Sequence, residues 1–497
     1  MVQSRRSTVE LSDLPDVANY VNGEWIQAKG DEHPVIDPAT GEELRTVRYS
    51  TTEDVSDTIE IADEAYEEWR RTPPGERIQY LFELKRELNE RQEEIARALS
   101  REHGKTLPEA RGEIRRGIEN VEVATGIPNM LREGSGLVED VTGEIDESAV
   151  RQPLGVFAAI TPFNFPAMIP LWFLPYAVAT GNTFVLKPSE RVPLSSQLLY
   201  EAIEAVEFPD GVVNLVNGGP NTVNSILEHE AVVGVSFVGS TPVAKHVYET
   251  AAEHGKRVQA QGGAKNYVVI TDNAELEDSV PTIIGSVYGN AGQRCLANDV
   301  VVGVGDVYET ARERLLEATE ELTVGIGLDE DTDVGPLITE SSYEHVLQLI
   351  EAALTEGADL LLDGRDYEHP DYPRGNFMGP TVLEGVTADM EIAQKEIFGP
   401  VLCLAEAEDL DEAIAMVNST EYGNASSIFT ENGGEARKYR YEVDAGNIGI
   451  NVGVCAPMGF FHFGGRKDSF FGDTHAQGED AVHFYTEKTV EIKRWYS

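Results

Sequence analysis

From Gly155 onward, short apolar runs alternate with amphipathic stretches, and this texture leaves few folds open. Val156-Phe-Ala-Ala-Ile160 and Thr183-Phe-Val-Leu186 read as strands buried on both faces, and residues 195–206 as a helix between strands. Val212-Val-Asn-Leu-Val216 and Val233-Gly-Val-Ser-Phe-Val238 add two more strands, and a second series begins near Gln259 and continues past Val401. Strands alternating with helices imply an α/β fold built on mostly parallel sheets, with ligands expected at the strands' C-terminal ends.

The segment before this series is different. Residues 19–37 read as short strands with Asn22-Gly23 as a hairpin turn. Residues 52–71, 74–104 and 107–131 carry apolar positions at helical spacing. Residues 135–153 alternate around Gly143 and read as an exposed hairpin. Together with strands expected at residues 482–485 and 490–495, this hairpin would form a small bridging sheet that joins subunits into a dimer or tetramer. The expected division is a cofactor domain from 1–134 and 154–260, a catalytic domain from 261–465, and bridging strands at 135–153 and 478–497.

Charge narrows the partners. The chain of 497 residues has 87 Asp plus Glu against 39 Lys plus Arg, a net charge of −48 spread along its length. Such a surface repels nucleic acid. It suits a protein held soluble in concentrated salt, where screening limits self-repulsion, so a halophilic source is expected. Three cysteines, Cys295, Cys403 and Cys455, are too few for a disulfide scaffold and point to a reducing cytoplasm. Residues 1–13 are polar with no signal-peptide core, and no apolar run is long enough to span a membrane.

Candidate chemistry centres on Tyr288-Gly-Asn-Ala-Gly-Gln-Arg-Cys-Leu296. Its small residues permit a tight turn, and the cation at Arg294 would favour a thiolate at Cys295, making that residue a candidate nucleophile; the alternative is an inert core cysteine. Phe237-Val-Gly-Ser-Thr-Pro-Val243 ends a strand and opens a helix, so Gly239 and Ser240 offer free amides to a phosphate. Lys187-Pro-Ser-Glu190 leaves another strand end with an ammonium and a carboxylate.

Pro162-Phe-Asn-Phe-Pro166, Lys187-Pro-Ser-Glu190, Phe237-Val-Gly-Ser240, Gly292-Gln-Arg-Cys295, Glu396-Ile-Phe-Gly-Pro400 and Phe463-Gly-Gly465, in that order, resemble the aldehyde dehydrogenase superfamily over nearly the whole chain. Phe163-Asn-Phe-Pro-Ala-Met-Ile-Pro-Leu-Trp172, Gly263-Ala-Lys-Asn266, Arg294 and Asp468-Ser-Phe-Phe-Gly-Asp473 are similar to its CoA-acylating methylmalonate-semialdehyde dehydrogenase branch. The resemblance implies that Cys295 attacks an aldehyde, with the Asn164 side chain and the Cys295 amide stabilising the oxyanion. It implies NAD as cofactor, with Lys187 and Glu190 on the adenosine ribose, Gly239 and Ser240 on the pyrophosphate, and Glu396 and Phe398 on the nicotinamide half. A carboxylate at Glu190 favours NAD over NADP. Arg294 and Arg116 would bind a substrate carboxylate, with Arg115 competing for the second place.

Gln261 stands where hydrolytic members carry a glutamate base, and an amide cannot take water's proton. CoA, whose thiol ionises more readily, is therefore expected as acyl acceptor. The branch usually carries Asn then Met at this point, where this chain has Gln261 and Gly262. Lys265 is either a cofactor-side charge or an ordinary exposed lysine. The expected reaction is NAD-dependent oxidation of malonate or methylmalonate semialdehyde to acetyl-CoA or propionyl-CoA, with no metal. The alternatives are a CoA-independent dehydrogenase for another aldehyde and a non-catalytic protein on the same fold. Residues 446–465 are expected as a loop at the substrate entrance, around Cys455, Phe460 and Phe461.

Overall fold

The computed structural model describes residues 14–132 and 136–496. The expectations for residues 1–13 and for Ser135 lie outside the described residues. Two open sheets, a three-stranded antiparallel sheet and two two-stranded antiparallel ribbons organise the described residues.

The first sheet has eight strands, in the spatial order Glu24–Ile26, Asn19–Val21, Val213–Leu215, Thr183–Lys187, Val156–Ile160, Val232–Val238, Arg257–Gln261 and Phe470–Gly472. Its five central strands are parallel, and the strands at both ends join antiparallel. Chain order reverses between Val156–Ile160 and Val232–Val238, so a crevice opens beyond Ile160 and Val238, the position where such folds bind nucleotides. The Asn22-Gly23 turn forms as expected, with both residues at positive φ (55° and 80°).

Helices Pro74–His103, Leu107–Ala124, Pro170–Thr180 and Pro193–Val206 pack into one buried core on this sheet. Thr52–Trp69, Pro220–Glu228 and Thr241–Glu253 cover its other face. The helix starts are written in the sequence. Thr51 with Asp54 and Thr106 with Glu109 form capping boxes, which satisfy amides that the first helical turn cannot.

The second sheet has seven strands, in the order Asp359–Leu362, Thr381–Glu384, Val401–Ala407, Val300–Val304, Tyr267–Ile270, Ala425–Phe429 and Asn447–Ile450. All are parallel except the Asp359–Leu362 edge. Residues 262–266 link the end of Arg257–Gln261 to the start of Tyr267–Ile270. So short a link sets the C-terminal edge of the first sheet against the N-terminal edge of the second. Here the sequence expectation needs correcting: the site's second half comes from strand N-terminal ends, because residues 265–266, 295–299, 396–400 and 424 all precede strands of the second sheet.

In the third sheet Ile145–Pro153 pairs with Leu137–Val138 on one side and with Thr486–Arg494 on the other. Residues 482–485, expected as a strand, instead end the helix Gly478–Tyr485. They pack against the first core, where the Tyr485 carbonyl accepts from Asn182 Nδ2 at 2.8 Å. Apolar Val482, Phe484 and Tyr485 satisfy either period over so short a run, and tertiary packing selected the helix. Among the described residues no helix is long and apolar enough to cross a membrane, and no His, Cys, Asp and Glu grouping could hold a metal ion.

Candidate active site

The helix Leu276–Tyr288 ends seven residues before the candidate nucleophile, and the chain then makes a left-handed corner. Asn290 and Ala291 both hold positive φ (57° and 52°), followed by Gly292 at 73°. The left-handed region costs a residue bearing a Cβ about 1–2 kcal/mol, so this corner must be held from outside. Glu109 accepts the Asn290 amide, and the Asn290 side chain donates to the Gln293 carbonyl at 3.0 Å. Gly292 is required here: a Cβ would lie 2.0 Å from the Gly399 carbonyl oxygen. The Cys295 carbonyl then accepts from Asn266 Nδ2 at 2.9 Å and from Asn424 Nδ2 at 2.6 Å. Two side-chain amides, each from the residue just before a strand of the second sheet, thus fix the peptide that carries the nucleophile.

Cys295 opens onto a cavity of about 280 Å³ that Arg294, Arg116, Lys105 and Glu109 also line. Trp172 and Phe463, tilted against each other with centroids 4.6 Å apart, supply apolar wall. Arg294 pairs with Glu109 at 2.9 Å, and its guanidinium packs where Gly289 has no side chain. Arg116 pairs with Glu119 at 2.9 Å and donates to the Pro457 carbonyl at 2.7 Å. Arg115, the other candidate that sequence left open, is exposed toward Glu119 and Glu122 and does not line the cavity. Residues 447–450, expected within a loop, are instead the edge strand of the second sheet, and past them Val454, Ala456, Pro457, Gly459 and Phe463 line the cavity while Phe460 and Phe461 are exposed. Cys455 is partly buried, packed against the first core.

Asn164 is buried beside this corner, where its Nδ2 donates one hydrogen to the Gln293 carbonyl at 3.0 Å and keeps a second. Its loop is clamped by a buried ion pair. Lys105 Nζ bonds Glu113 at 2.6 Å and the Asn164 carbonyl at 2.6 Å, while the other Glu113 oxygen accepts the amides of Ala167 and Met168 at 2.8 and 3.1 Å. Phe398, at φ 57°, meets Phe163 edge-on at 5.9 Å.

The electrostatics correct one expectation. Burial pushes the Cys295 thiol up to about 12, with the nearby Glu396 carboxylate adding to the effect. The Arg294 charge is engaged by Glu109, so burial outweighs the cation that was expected to favour a thiolate. Burial likewise lifts the Glu396 carboxyl to about 8, against the Ala264 amide that donates to it at 3.0 Å. Lys265 is buried and paired with Asp299 at 3.0 Å, which excludes the exposed-lysine reading. Gln261 is buried, and neither atom of its amide has a hydrogen-bond partner among the described residues.

The nucleotide candidates line the crevice of the first sheet. Gly239 donates to the Gln261 carbonyl at 3.1 Å, and a Cβ there would lie 2.5 Å from the Phe237 ring. Ser240 begins the helix Thr241–Glu253 without capping it through its side chain, so first-turn amides stay available to a phosphate. Gly263 lets the chain pass Glu396, whose Oε2 would be 3.0 Å from a Cβ. Lys187 and Glu190 pair at 3.0 Å. Burial raises the Glu190 carboxyl, but Lys187, and more weakly Arg191, pull it below the ordinary carboxylate range. A charged carboxylate beside an ammonium, backbone close to the strand ends and a free helix N-terminus fit a dinucleotide.

Sequence reading missed Lys105, Glu109, Glu113, Asn266 and Asn424. Asn266 stood in the Gly263-Ala-Lys-Asn266 motif with no role attached, and the Thr106–Glu109 capping-box pattern says nothing of the second partner that Glu109 takes.

Residues 25–490 match the model of the aldehyde dehydrogenase family. The malonate-semialdehyde dehydrogenase 1 of Oceanobacillus iheyensis is 46% identical over 486 residues, covering 98% of this chain and 99% of that protein. The malonate-semialdehyde dehydrogenase of Halalkalibacterium halodurans is 47% identical over 479 residues, covering 96% and 98%. Two solved structures superpose with a TM-score of 0.95, each covering 97% of this chain and 99% of its own. One, from Sinorhizobium meliloti, is described as a methylmalonate-semialdehyde dehydrogenase complexed with NAD and is 39% identical. The other is a methylmalonate-semialdehyde dehydrogenase from Oceanimonas doudoroffii, 40% identical. Likeness of this extent, over a cavity that opens onto a clamped cysteine, leaves one assignment: the chain belongs to the aldehyde dehydrogenase family.

Proposed function

We propose that the protein oxidises malonate semialdehyde or methylmalonate semialdehyde and passes the acyl group to CoA, releasing acetyl-CoA or propionyl-CoA. One observation carries the reading: Cys295, Arg294 and Arg116 line a single cavity. A guanidinium makes charge-assisted pairs with carboxylates, so two of them beside a nucleophile suit an aldehyde that bears its own carboxylate. The names of the near-full-length relatives agree.

Cys295 Sγ adds to the aldehyde carbon, and the oxyanion is met by the Cys295 amide and the spare Asn164 N–H. Each such donor is typically worth about 3–4 kcal/mol. A bound NAD would supply the acceptor for the hydride that leaves the aldehyde carbon as the oxyanion collapses to the Cys295 thioester. The thioester left on Cys295 has a carboxylate β to its carbonyl, so loss of carbon dioxide leaves an enolate that takes up one proton from solvent to become the shorter acyl group. Gln261 has no basic atom to activate water, and the CoA thiol, a stronger acid than water, displaces Cys295 instead. Lys187, Glu190, Gly239, Ser240, Glu396 and Phe398 serve the dinucleotide.

We further propose a homo-oligomer joined through the third sheet, with the first sheet as cofactor domain and the second as catalytic domain. The three free cysteines and the charge support a cytoplasmic enzyme working in concentrated salt. The test is NADH formation at high salt from either semialdehyde, with and without CoA, followed by mass spectrometry of the product. Sustained turnover only with CoA, yielding acetyl-CoA or propionyl-CoA, is expected. Equal turnover without CoA and a free-acid product would replace this reading with a hydrolytic one.

A further inference from the structure

The two arginines that face the substrate have few hydrogens left to give it. Among the described residues Arg116 donates from one terminal nitrogen to Glu119 and to Met458 Sδ, each at 2.9 Å, and from the other to the Ala456 and Pro457 carbonyls at 3.3 and 2.7 Å. Only its Nε–H remains for a ligand. Arg294 is shared in the same way, with Glu109 and with the Gly285 carbonyl at 3.2 Å. A carboxylate accepts about four hydrogen bonds, so these guanidiniums supply its counter-charge but leave room for a further donor.

Gln477 lines the same cavity, close to Arg116. The Gly478 amide that follows it donates to the Gly459 carbonyl at 3.1 Å, next but one to the Pro457 carbonyl that Arg116 uses. Asn120 ties the two together: its Nδ2 donates to the Arg116 carbonyl at 3.1 Å, and its Oδ1 would stand 3.1 Å from a Cβ on Gly459. Gln477 is 2% exposed, yet its side-chain amide forms no hydrogen bond among the described residues. Buried polar atoms are rarely left so. Its backbone, at φ 71° and ψ 169°, lies in a region that only glycine adopts readily. A long amide kept in a glycine conformation, buried and unbonded on a substrate cavity, points to a ligand that bonds it. The amide carries both a donor and an acceptor, and a half-turn about its last side-chain bond exchanges them, so it can present N–H to an anion.

We propose that Gln477 binds the carboxylate of the semialdehyde by donating from Nε2, beside the Nε–H of Arg116 and the guanidinium of Arg294, and so helps to select an aldehyde that carries a carboxylate. This rests on the substrate reading above.

The test compares malonate semialdehyde with 3-methylbutanal, an uncharged aldehyde of similar shape, at saturating NAD and CoA. Gln477→Met keeps the length and removes the amide, whereas Gln477→Gly suits the backbone and removes the side chain, so the glycine variant decides if the methionine variant does not fold. The wild type is expected to favour the semialdehyde in kcat/KM by about a hundredfold or more, since its carboxylate meets charged donors. In each variant that ratio should fall roughly tenfold or more, chiefly through KM, as one hydrogen bond to a charged group is lost. A readout free of turnover is protection of Cys295 from iodoacetamide by 3-hydroxypropanoate, whose half-protecting concentration should rise by a similar factor in both variants. Equal losses on the two aldehydes make Gln477 a packing residue and overturn the proposal. A raised KM for CoA with the semialdehyde KM unmoved also overturns it, by giving the amide to the acyl acceptor. If the wild type shows the preference and both variants keep it, the role of Gln477 falls and the substrate reading stands. If the wild type shows no preference for the semialdehyde, the substrate reading falls and takes this inference with it.

Discussion

Gln261 ends its strand with an amide that bonds nothing among the described residues, so the side chain can be exchanged without breaking a contact. Gln261→Glu keeps the shape and adds a base. We expect it to gain CoA-independent NADH formation with a free-acid product, by roughly 10²-fold or more, since general-base help is worth about 10²–10⁴. A variant that still needs CoA would remove Gln261 from the choice of acceptor. Cys295 gives a second expectation from its raised pKa. Below that value the thiolate fraction climbs tenfold per pH unit. Iodoacetamide labelling of Cys295 in the protein without ligands should therefore keep rising from pH 7 to about 10, followed by peptide mass spectrometry. A plateau near neutrality would mean that Arg294 controls the thiol after all. Cys295, Arg294 and Arg116, which line one cavity, were singled out in sequence because their chemistry is local or familiar, although Arg115 competed with Arg116. Glu109, Asn266 and Asn424 were not, since each acts on a peptide or guanidinium more than twenty residues away, a pairing that only the fold creates.

At the level of elements, the Lys105–Glu113 pair ties the helix Leu107–Ala124 to the loop that presents Asn164. Removing one partner of a buried pair costs about 3–5 kcal/mol, because the remaining charge has no compensation. Lys105→Met should lower the denaturation midpoint accordingly, and Lys105→Met/Glu113→Gln should recover part of the loss. Because the Asn164 carbonyl still lacks its donor, kcat is expected to stay depressed in the double variant with KM little changed. Full recovery of kcat would leave the pair a role in stability alone. Helices and strands were readable wherever a period persisted over several turns or an uninterrupted apolar run. Residues 482–485 were not, being too few to choose between periods. The position of the site at the N-terminal ends of the second sheet was also hidden, because it follows from the short link at 262–266 and not from any motif.

For the molecule as a whole, charge and the third sheet set the behaviour. With a net charge of −48, self-repulsion opposes compactness until salt shortens its reach, from about 10 Å at 0.1 M to about 3 Å at 1 M. The melting temperature should rise steadily over that range in potassium chloride; a flat response would exclude adaptation to salt. Strand Thr486–Arg494 is an edge whose Val490 and Ile492 are 64% and 66% exposed, a surface that isolated chains rarely leave bare. Val490→Lys/Ile492→Lys is expected to shift the species seen by light scattering to a lower mass without unfolding it. An unchanged mass would move the subunit contact elsewhere.

Strand Phe470–Gly472 closes the first sheet against Arg257–Gln261, and Thr486–Arg494 completes the arm begun by Ile145–Pro153. During synthesis these early strands must therefore wait for partners made about 200 and 330 residues later. At roughly 5–20 residues per second the first sheet would stand open-edged on the ribosome for some 10–40 s, exposed to pairing with neighbouring nascent chains. The abundant negative charge that keeps the finished protein apart from its copies also keeps those unfinished chains apart, so the composition guards the birth of the molecule as well as its working life.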